Sequence, residues 1–495
     1  MRRIALISIL LAVAAMAVWA TVAASRTSLL EWIPGEPLVV VAADDLPQLA
    51  ARVRELPAAK EYLDGQAHDA YSDSKLALKL ADRAKRLGKL AGTELTLSTL
   101  FAHAGGETAL ALYDIGELQF LVLVRMDAAE QSKLEFVKAK ADFTERVYEG
   151  RTYLAKVDYN AGQAFAFYQQ NDLLVVSNNI DLIEGALLAR AQPDAQPRLV
   201  AGDTYRRLRE LQPDLTAADA TVYLDMKRLR DDRYFKVYWA WRNFDELAAV
   251  DAVLIGFDCD GRTMRERRAL LGPTAVAPPY LAYDGDMSAL LPGGESTTAR
   301  LSAHLGWPLN ELDLDGRAEA LLLIAQPAID EETGVVVLRR GAAIADVQTT
   351  PTHVLQAVAA GMTAPRPALP YALTPKTVNG VVSLTTLPEL PGAYAMRRGD
   401  LLLLADDETL LRAMAEKVKR DEPGPLQTAN VTGEAAMQLA TFLQQAKQWG
   451  AARDDGASFA TNTLVSILQA AGNFKRMTAV TTPQPGGLVQ ETRWQ

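Results

Sequence analysis

Two stretches far apart in the chain share one pattern. NDLLVVSNNIDLIEGALLARAQPDAQP runs from Asn171 to Pro197, and GDLLLLADDETLLRAMAEKVKRDEPGP runs from Gly399 to Pro425. Each has a small polar pair, four branched apolar residues, an amide or acidic pair, a helical pattern and a proline cluster. A short branched run suits a buried strand. Asn178 and Asn179, or Asp406 and Asp407, suit a turn and an N-cap. Leu182, Ile183, Ala186 and Leu187 then fall at helical spacing, as do Leu410, Leu411 and Met414. Gln192 to Pro197 and Glu422 to Pro425 are read as helix stops, because proline lacks the donor and clashes with the preceding turn.

The match extends to both sides. Upstream, GETALALYDIGELQFLVLV (106–124) and GRAEALLLIAQPAIDEETGVVVL (316–338) each read as strand, turn, strand. A helix is expected after each, over Asp127 to Phe143 and over Pro351 to Gly361. YEGRTYLAKV and VNGVVSLTTL follow, and Asn379-Gly380 is a type I′ hairpin signal because both central residues need positive φ. Downstream, ATVYLDMKRL matches VTGEAAMQLATFL as strand into helix. VDAVLIGFDCDGRTMRERRAL matches FKRMTAVTTPQPGGLVQETRW as a closing hairpin. The expected architecture is α+β: two tandem related modules, 37–272 and 280–495, each an antiparallel sheet with helices packed on one face. The linker GPTAVAPP (272–279) separates them.

A leader precedes the modules. Residues 1–25 open with Arg2 and Arg3, and Ile4 to Ala24 carry no charge. As a helix those residues span about 31 Å, close to the ~30 Å hydrocarbon core of a bilayer. A transmembrane signal-anchor through residues 4–24 is the expectation, with the arginines holding the N-terminus in the cytoplasm. Val22-Ala23-Ala24 also offers a small-residue cleavage site, so release after cutting near Ala24 is the alternative. The expected location is a bacterial inner membrane, single-pass, with the body in the periplasm.

The leader, AADDLPQLAARV, the hairpin GGETALALY…LVLVRMD and the DLLVVS…LI helix, in that order, resemble a bacterial cell-envelope family of unknown function. The resemblance spans most of 37–200 and extends faintly over 316–425. It implies an envelope location, and no functional residues come with it.

Chemistry is sparse. The chain has 61 acidic against 51 basic residues, a net charge of −10, and such a body is repelled by phosphate backbones, so no nucleic-acid partner is expected. The single cysteine, Cys259, cannot form an internal disulfide or a thiolate metal site alone. His68, His103, His304 and His353 have no zinc-helix spacing. Neither a G-x-S-x-G elbow nor a phosphate-binding G-x-x-x-x-G-K-[ST] loop occurs. No catalytic residue, cofactor or metal is therefore assigned. Asp258 with Asp260, and Asp313 with Asp315, could each present two carboxylates on one strand face, but Asp-Gly is also turn chemistry.

The densest unusual feature is DRYFKVYWAWRNFDELAAV (232–250). Tyr234, Tyr238 and Trp241 share one helical face, and Phe235 and Trp239 share the next. A helix wedged under its sheet would explain them. So would a partner or ligand face formed by Tyr234, Tyr238, Trp239 and Trp241, since Tyr and Trp dominate interface hot spots. The matching ATFLQQAKQWG (440–450) is far poorer in aromatics. The sequence points first to a membrane-tethered, non-catalytic periplasmic binding or scaffold protein with a protein partner. A carrier or sensor for an apolar ligand held between sheet and helices is the alternative, and a carboxylate-dependent hydrolase the third.

Overall fold

The computed structural model describes residues 28–59, 75–93, 103–160, 162–195, 197–232, 249–272, 280–294, 296–309, 312–314, 318–330, 333–345, 347–363, 373–384, 392–421, 425–448, 465 and 468–495. The leader, most of the 272–279 linker and the aromatic stretch 233–248 lie outside them. The chain forms two compact units. The first takes Met1–Pro47, Arg83–Arg206 and Asp231–Lys236; the second takes Gln48–Asp82, Arg207–Arg230 and Val237–Gln495.

The first unit is an antiparallel sheet of seven strands: β1 (Val39–Ala43), β2 (Thr108–Asp114), β3 (Gln119–Arg125), β4 (Thr144–Tyr148), β5 (Arg151–Asp158), β6 (Gln163–Gln170) and β7 (Leu173–Ser177). Their order across the sheet is β1-β2-β3-β7-β6-β5-β4. Helix α1 (Leu46–Glu55) belongs to the second unit from Gln48 onward, α2 (Lys75–Ala91) belongs to the first unit from Arg83 onward, and α3 (Ile180–Ala191) lies wholly in the first.

The second unit holds β8 (Ala220–Leu224), β9 (Ala252–Cys259), β10 (Met264–Leu271), β11 (Tyr280–Tyr283), β12 (Met287–Pro292), β13 (Ala320–Ile329), β14 (Val336–Ala345) and β15 (Lys376–Val378). It continues with β16 (Val381–Leu384), β17 (Ala393–Arg398), β18 (Leu401–Ala405), β19 (Val418–Asp421), β20 (Gln427–Thr432), β21 (Arg476–Gln484) and β22 (Gly487–Trp494). Its helices include α4 (Thr297–Leu305), α5 (Pro351–Thr363), α6 (Glu408–Lys417) and α7 (Gly433–Gln448). The main ladder runs β8-β9-β10-β22-β21-β20-β12-β13-β14-β18-β17-β16-β15, antiparallel throughout, and β11 pairs with β19.

Within that ladder, β12-β13-β14-β18-β17-β16-β15 has the strand order of the first unit, first to last. The local devices agree too. Asn171 (φ +54°) and Gly399 (φ +61°) turn the chain into β7 and β18. The side chains of Asn179 and Asp407 cap α3 and α6, accepting from the amides of Asp181 and Leu410. Asn379 and Gly380 both take positive φ, and Val378 pairs with Val381 across them, as the hairpin signal predicts. The closing hairpins β9–β10 and β21–β22 meet, with Met264 opposite Trp494 at one end and Leu270 opposite Leu488 at the other. This pairing holds β8 to β10 in the second unit, although the sequence groups them with the first module.

Helices do not pack on one face only; around β7 and β18 each sheet is covered on both, which corrects the expectation there. All five residues of β7 are buried, and so are all five of β18. Alternate strand residues point to opposite faces, so a strand buried throughout needs cover on each side. Leu174 and Val176 face Leu87, Ala91, Leu134, Phe136 and Phe143, while α3 and the turn Leu29–Trp32 lie on the other side. In the second unit, Leu402 and Leu404 face α4 and α5. Leu401, Leu403 and Ala405 face Leu410, Leu411 and Met414 of α6.

Two helix expectations also change. Asp127 to Phe143 is not one helix but Ala128–Gln131, Glu135–Lys138 and a 3-10 turn, because extended backbone at Leu134 (ψ 127°) breaks the run. Leu134 and Phe136 both enter the core that way. Helix α6 ends at Lys417, before the proline cluster, where the chain becomes β19 and pairs with β11.

Leu403 is fully buried between β14, β17 and α6. Leu403→Ala should lower the stability of the second unit by about 2–5 kcal/mol. Val147→Ala, at a position 71% exposed, should change stability by under about 0.5 kcal/mol. Urea midpoints of the two variants against the parent chain measure the contrast.

Candidate functional site

Tyr234, Tyr238, Trp239 and Trp241 lie outside the described residues, but both ends of their segment are framed. The short helix Met226–Asp231 leads in, with Met226 and Leu229 buried. Beyond the segment, the Lys227 amide donates to the Asp251 carbonyl at 2.9 Å, and the Asp251 amide donates to Leu271 at 2.7 Å. The described residues on either side of the segment are therefore joined to each other beside β9 and β10. After β20, the Gly433 amide likewise donates to Lys475 at 3.1 Å.

The first acidic pair, Asp258 with Asp260, is ion-pair and turn chemistry. The Asp258 carboxylate accepts from Arg267 Nη2 at 2.6 Å, and Arg267 Nη1 donates to the Asp214 carbonyl at 3.0 Å. Arg267 is only 5% exposed, so this contact pairs a buried cation through its two terminal nitrogens. Asp260 accepts from the amides of Arg262 and Thr263 and from the Thr263 hydroxyl. The Thr263 amide, then that of Arg262, hold its carboxyl below the usual range. Asp315 lies outside the described residues; Leu314, beside Asp313, is buried in the core. Among the described residues no group of three or more His, Cys, Asp or Glu is placed to hold a metal ion.

Of the histidines, His353 sits exposed in the first turn of α5, its amide donating to Thr350 Oγ1 at 3.2 Å. His103 Nδ1 lies 2.8 Å from Glu130 Oε2, and Lys133 also reaches Glu130. His304 is different. Its Nε2 lies 3.0 Å from the carbonyls of both Ile324 and Gly341, so it donates to the backbone of β13 and β14. Burial pushes its pKa down, against the pull of those two carbonyls. The Asp406 carboxylate stands close by, accepting from the Arg340 amide at 2.6 Å and from Arg340 Nε at 2.9 Å. Burial nonetheless raises the Asp406 carboxyl above its ordinary value. Asn178 does the equivalent work after β7: its side chain accepts from the Phe120 amide and donates to the Leu118 carbonyl. A neutral amide suffices there, which identifies the device as a clip between a strand end and its neighbour.

A cleft of about 440 Å³ opens beside β5 and β6 in the first unit. Phe143, Leu154 and Phe167 line it, with Lys140, Glu145 and Gln169 among its polar groups. Phe143 and Phe167 meet edge to face at 5.2 Å. Behind them the Tyr153 hydroxyl donates to Glu184 Oε1 at 2.5 Å, and burial followed by Glu184 pushes its pKa to about 12.

Sequence reasoning passed over α2, KLALKLADRAKRLGKLA, which has six basic residues and one acidic. The acidic total of the whole chain concealed it, although a count within the helix finds it. Lys85, Arg86 and Lys89 are exposed, while Leu87 and Ala91 are buried against the sheet.

No protein-family model matches the chain, and no curated protein matches it. Solved structures that match include two crystal forms of TP0453. Form I is 7% identical with a TM-score of 0.28, covering 53% of this chain and 90% of that one. Form III is 8% identical with a TM-score of 0.28, covering 60% and 92%. A likeness this distant carries no argument about what the chain does.

His304 gives the second unit a pH dependence of defined sign. Its folded pKa lies below the ordinary 6.5, so the unfolded chain takes the proton first as pH falls. The stabilisation is whole above about pH 6.5 and drains away below it. Asp406, shifted upward, has the opposite sign and gains as pH falls through its folded pKa. His304→Gln keeps a donor without the titration. Between about pH 7.5 and 5, its urea midpoint should fall less than that of the parent chain.

Proposed function

We propose that this chain is a membrane-tethered, non-catalytic binding or scaffold protein with its body outside the cytoplasm, built from one doubled sheet-and-helix module. The observation that carries the reading is how the fold spends its buried polar groups. Arg267 holds the Asp214 carbonyl and the half-buried Arg398 the Val418 carbonyl. Asp406 holds the Arg340 amide, and Gln131 holds the carbonyls of Met126 and Asn171. Each ties a loop or strand end to its neighbour, which is the work of a rigid support. The shared strand order supports the doubling. The uncharged run Ile4 to Ala24 after Arg2 and Arg3 supports the tether and its orientation. No helix among the described residues is long and apolar enough to cross a membrane, so in this reading residues 4–24 are the tether.

The partner face in this reading is Tyr234, Tyr238, Trp239 and Trp241, in the segment between the paired residues Lys227 and Asp251. The Phe143–Phe167 cleft favours a second reading, a carrier of an apolar ligand, because its volume falls within the usual ~300–1,000 Å³ of ligand sites.

In envelopes, the full chain should stay with the membrane after an alkaline carbonate wash and keep the mass of residues 1–25. A photo-crosslinker at Tyr238 should then trap one protein species. Trp239→Ala with Trp241→Ala should cut that yield by about tenfold or more, the effect of losing a hot spot of ~2 kcal/mol. A chain released by the wash sinks the tether. A yield unchanged by the double substitution sinks the partner face. An apolar molecule extracted at one per chain would favour the carrier.

A further inference from the structure

The first described residue of the chain is anchored to the turn that leads into β2. Ser28 Oγ and the Leu29 amide both donate to Glu107 Oε1, at 2.8 and 2.7 Å. Glu107 belongs to the turn Ala104–Glu107, where Gly105 N donates to the Arg125 carbonyl and Arg125 N donates to the Glu107 carbonyl. Ala104 packs in the same core cluster as Leu87 and Ala91 of α2. The entry of the chain into the first unit is therefore tied to a turn that shares a core with the C-terminal half of α2.

That half of α2 has a divided surface. Leu87 and Ala91 are buried, and Lys85, Arg86 and Lys89 are exposed. In the neighbouring layer Glu130 pairs with Lys133 and His103, and Glu135 pairs with Lys138. The basic surplus of α2 stands in a chain whose net charge is −10.

We propose that the basic face of α2 rests on the headgroups of an anionic phospholipid bilayer and sets how the first unit sits over the membrane. The inference rests on the tethered reading above. From Ala24 to Ser28 the chain can reach at most about 14 Å. That leaves the Glu107 end near the charged surface, whose field decays over ~8 Å at physiological salt. Basic residues that close to an anionic leaflet each gain about fivefold in local binding. The acidic remainder of the body is repelled by the same field, so the surface favours one orientation.

Amine acetylation of the full chain in lipid nanodiscs, read by peptide mass spectrometry, tests this. In discs containing about one-third phosphatidylglycerol, labelling of Lys85 and Lys89 should fall about fivefold relative to pure phosphatidylcholine discs. It should recover at ~1 M salt, where the screening length is ~3 Å. Equal labelling in both discs, or a fall that salt does not reverse, overturns the docking face and assigns the basic surface to something other than lipid charge. A chain that stays out of both discs fails the tether instead. The same labelling with vesicles of the two compositions then decides the docking face by the same criterion.

Discussion

Strands buried on both faces leave no choice about hydrogen bonding. A backbone amide or carbonyl with no partner and no water costs about as much as several good contacts supply. In β7 and β18 every residue is buried, so each strand has a partner on both sides and cover above and below. The rest of each sheet follows from that demand. Strands β3 and β6 enclose β7, and β14 and β17 enclose β18. Helices α3 and α6 are launched directly from the buried strands by Asn179 and Asp407, and fold back over the sheet.

Polar groups drawn into such a fold must be satisfied by the fold itself. Arg267, Asp406, His304 and Gln131 all end on backbone groups. A histidine held neutral by burial, with its donor committed to two carbonyls, is poorly suited to shuttle protons. A carboxylate occupied by an arginine's own amide and guanidinium is equally committed. Chemistry of this kind stiffens strand ends and fixes register.

Charge is distributed against the average. The sequence is acidic overall, yet α2 is strongly basic and keeps Lys85, Arg86 and Lys89 in solvent. Net charge describes solubility and long-range repulsion. A local surplus on one helix decides what can approach that side. The two readings are compatible only when position is considered, which is why a count over the whole chain passed over the helix.

Much of the fold was legible in local sequence. Asn379-Gly380, the caps at Asn179 and Asp407 and the unbroken apolar runs of β7 and β18 are short-range signals, set by φ preference, side-chain reach and period. Asp260, too, was readable as turn chemistry. Other features needed the tertiary structure. Period tells which face a residue takes, but not which strand lies beside it or whether the far face is covered. The helices on both faces, the meeting of β10 with β22 and the break at Leu134 depend on long-range burial competing with local preference. The clip at Arg340 and Asp406 joins residues 66 positions apart, and the Ser28–Glu107 contact joins residues 79 apart. Sequence determined the pieces and their caps, because those energies act within a turn or two. Only the folded chain decided their neighbours, because pairing and desolvation are settled between segments that the sequence keeps far apart.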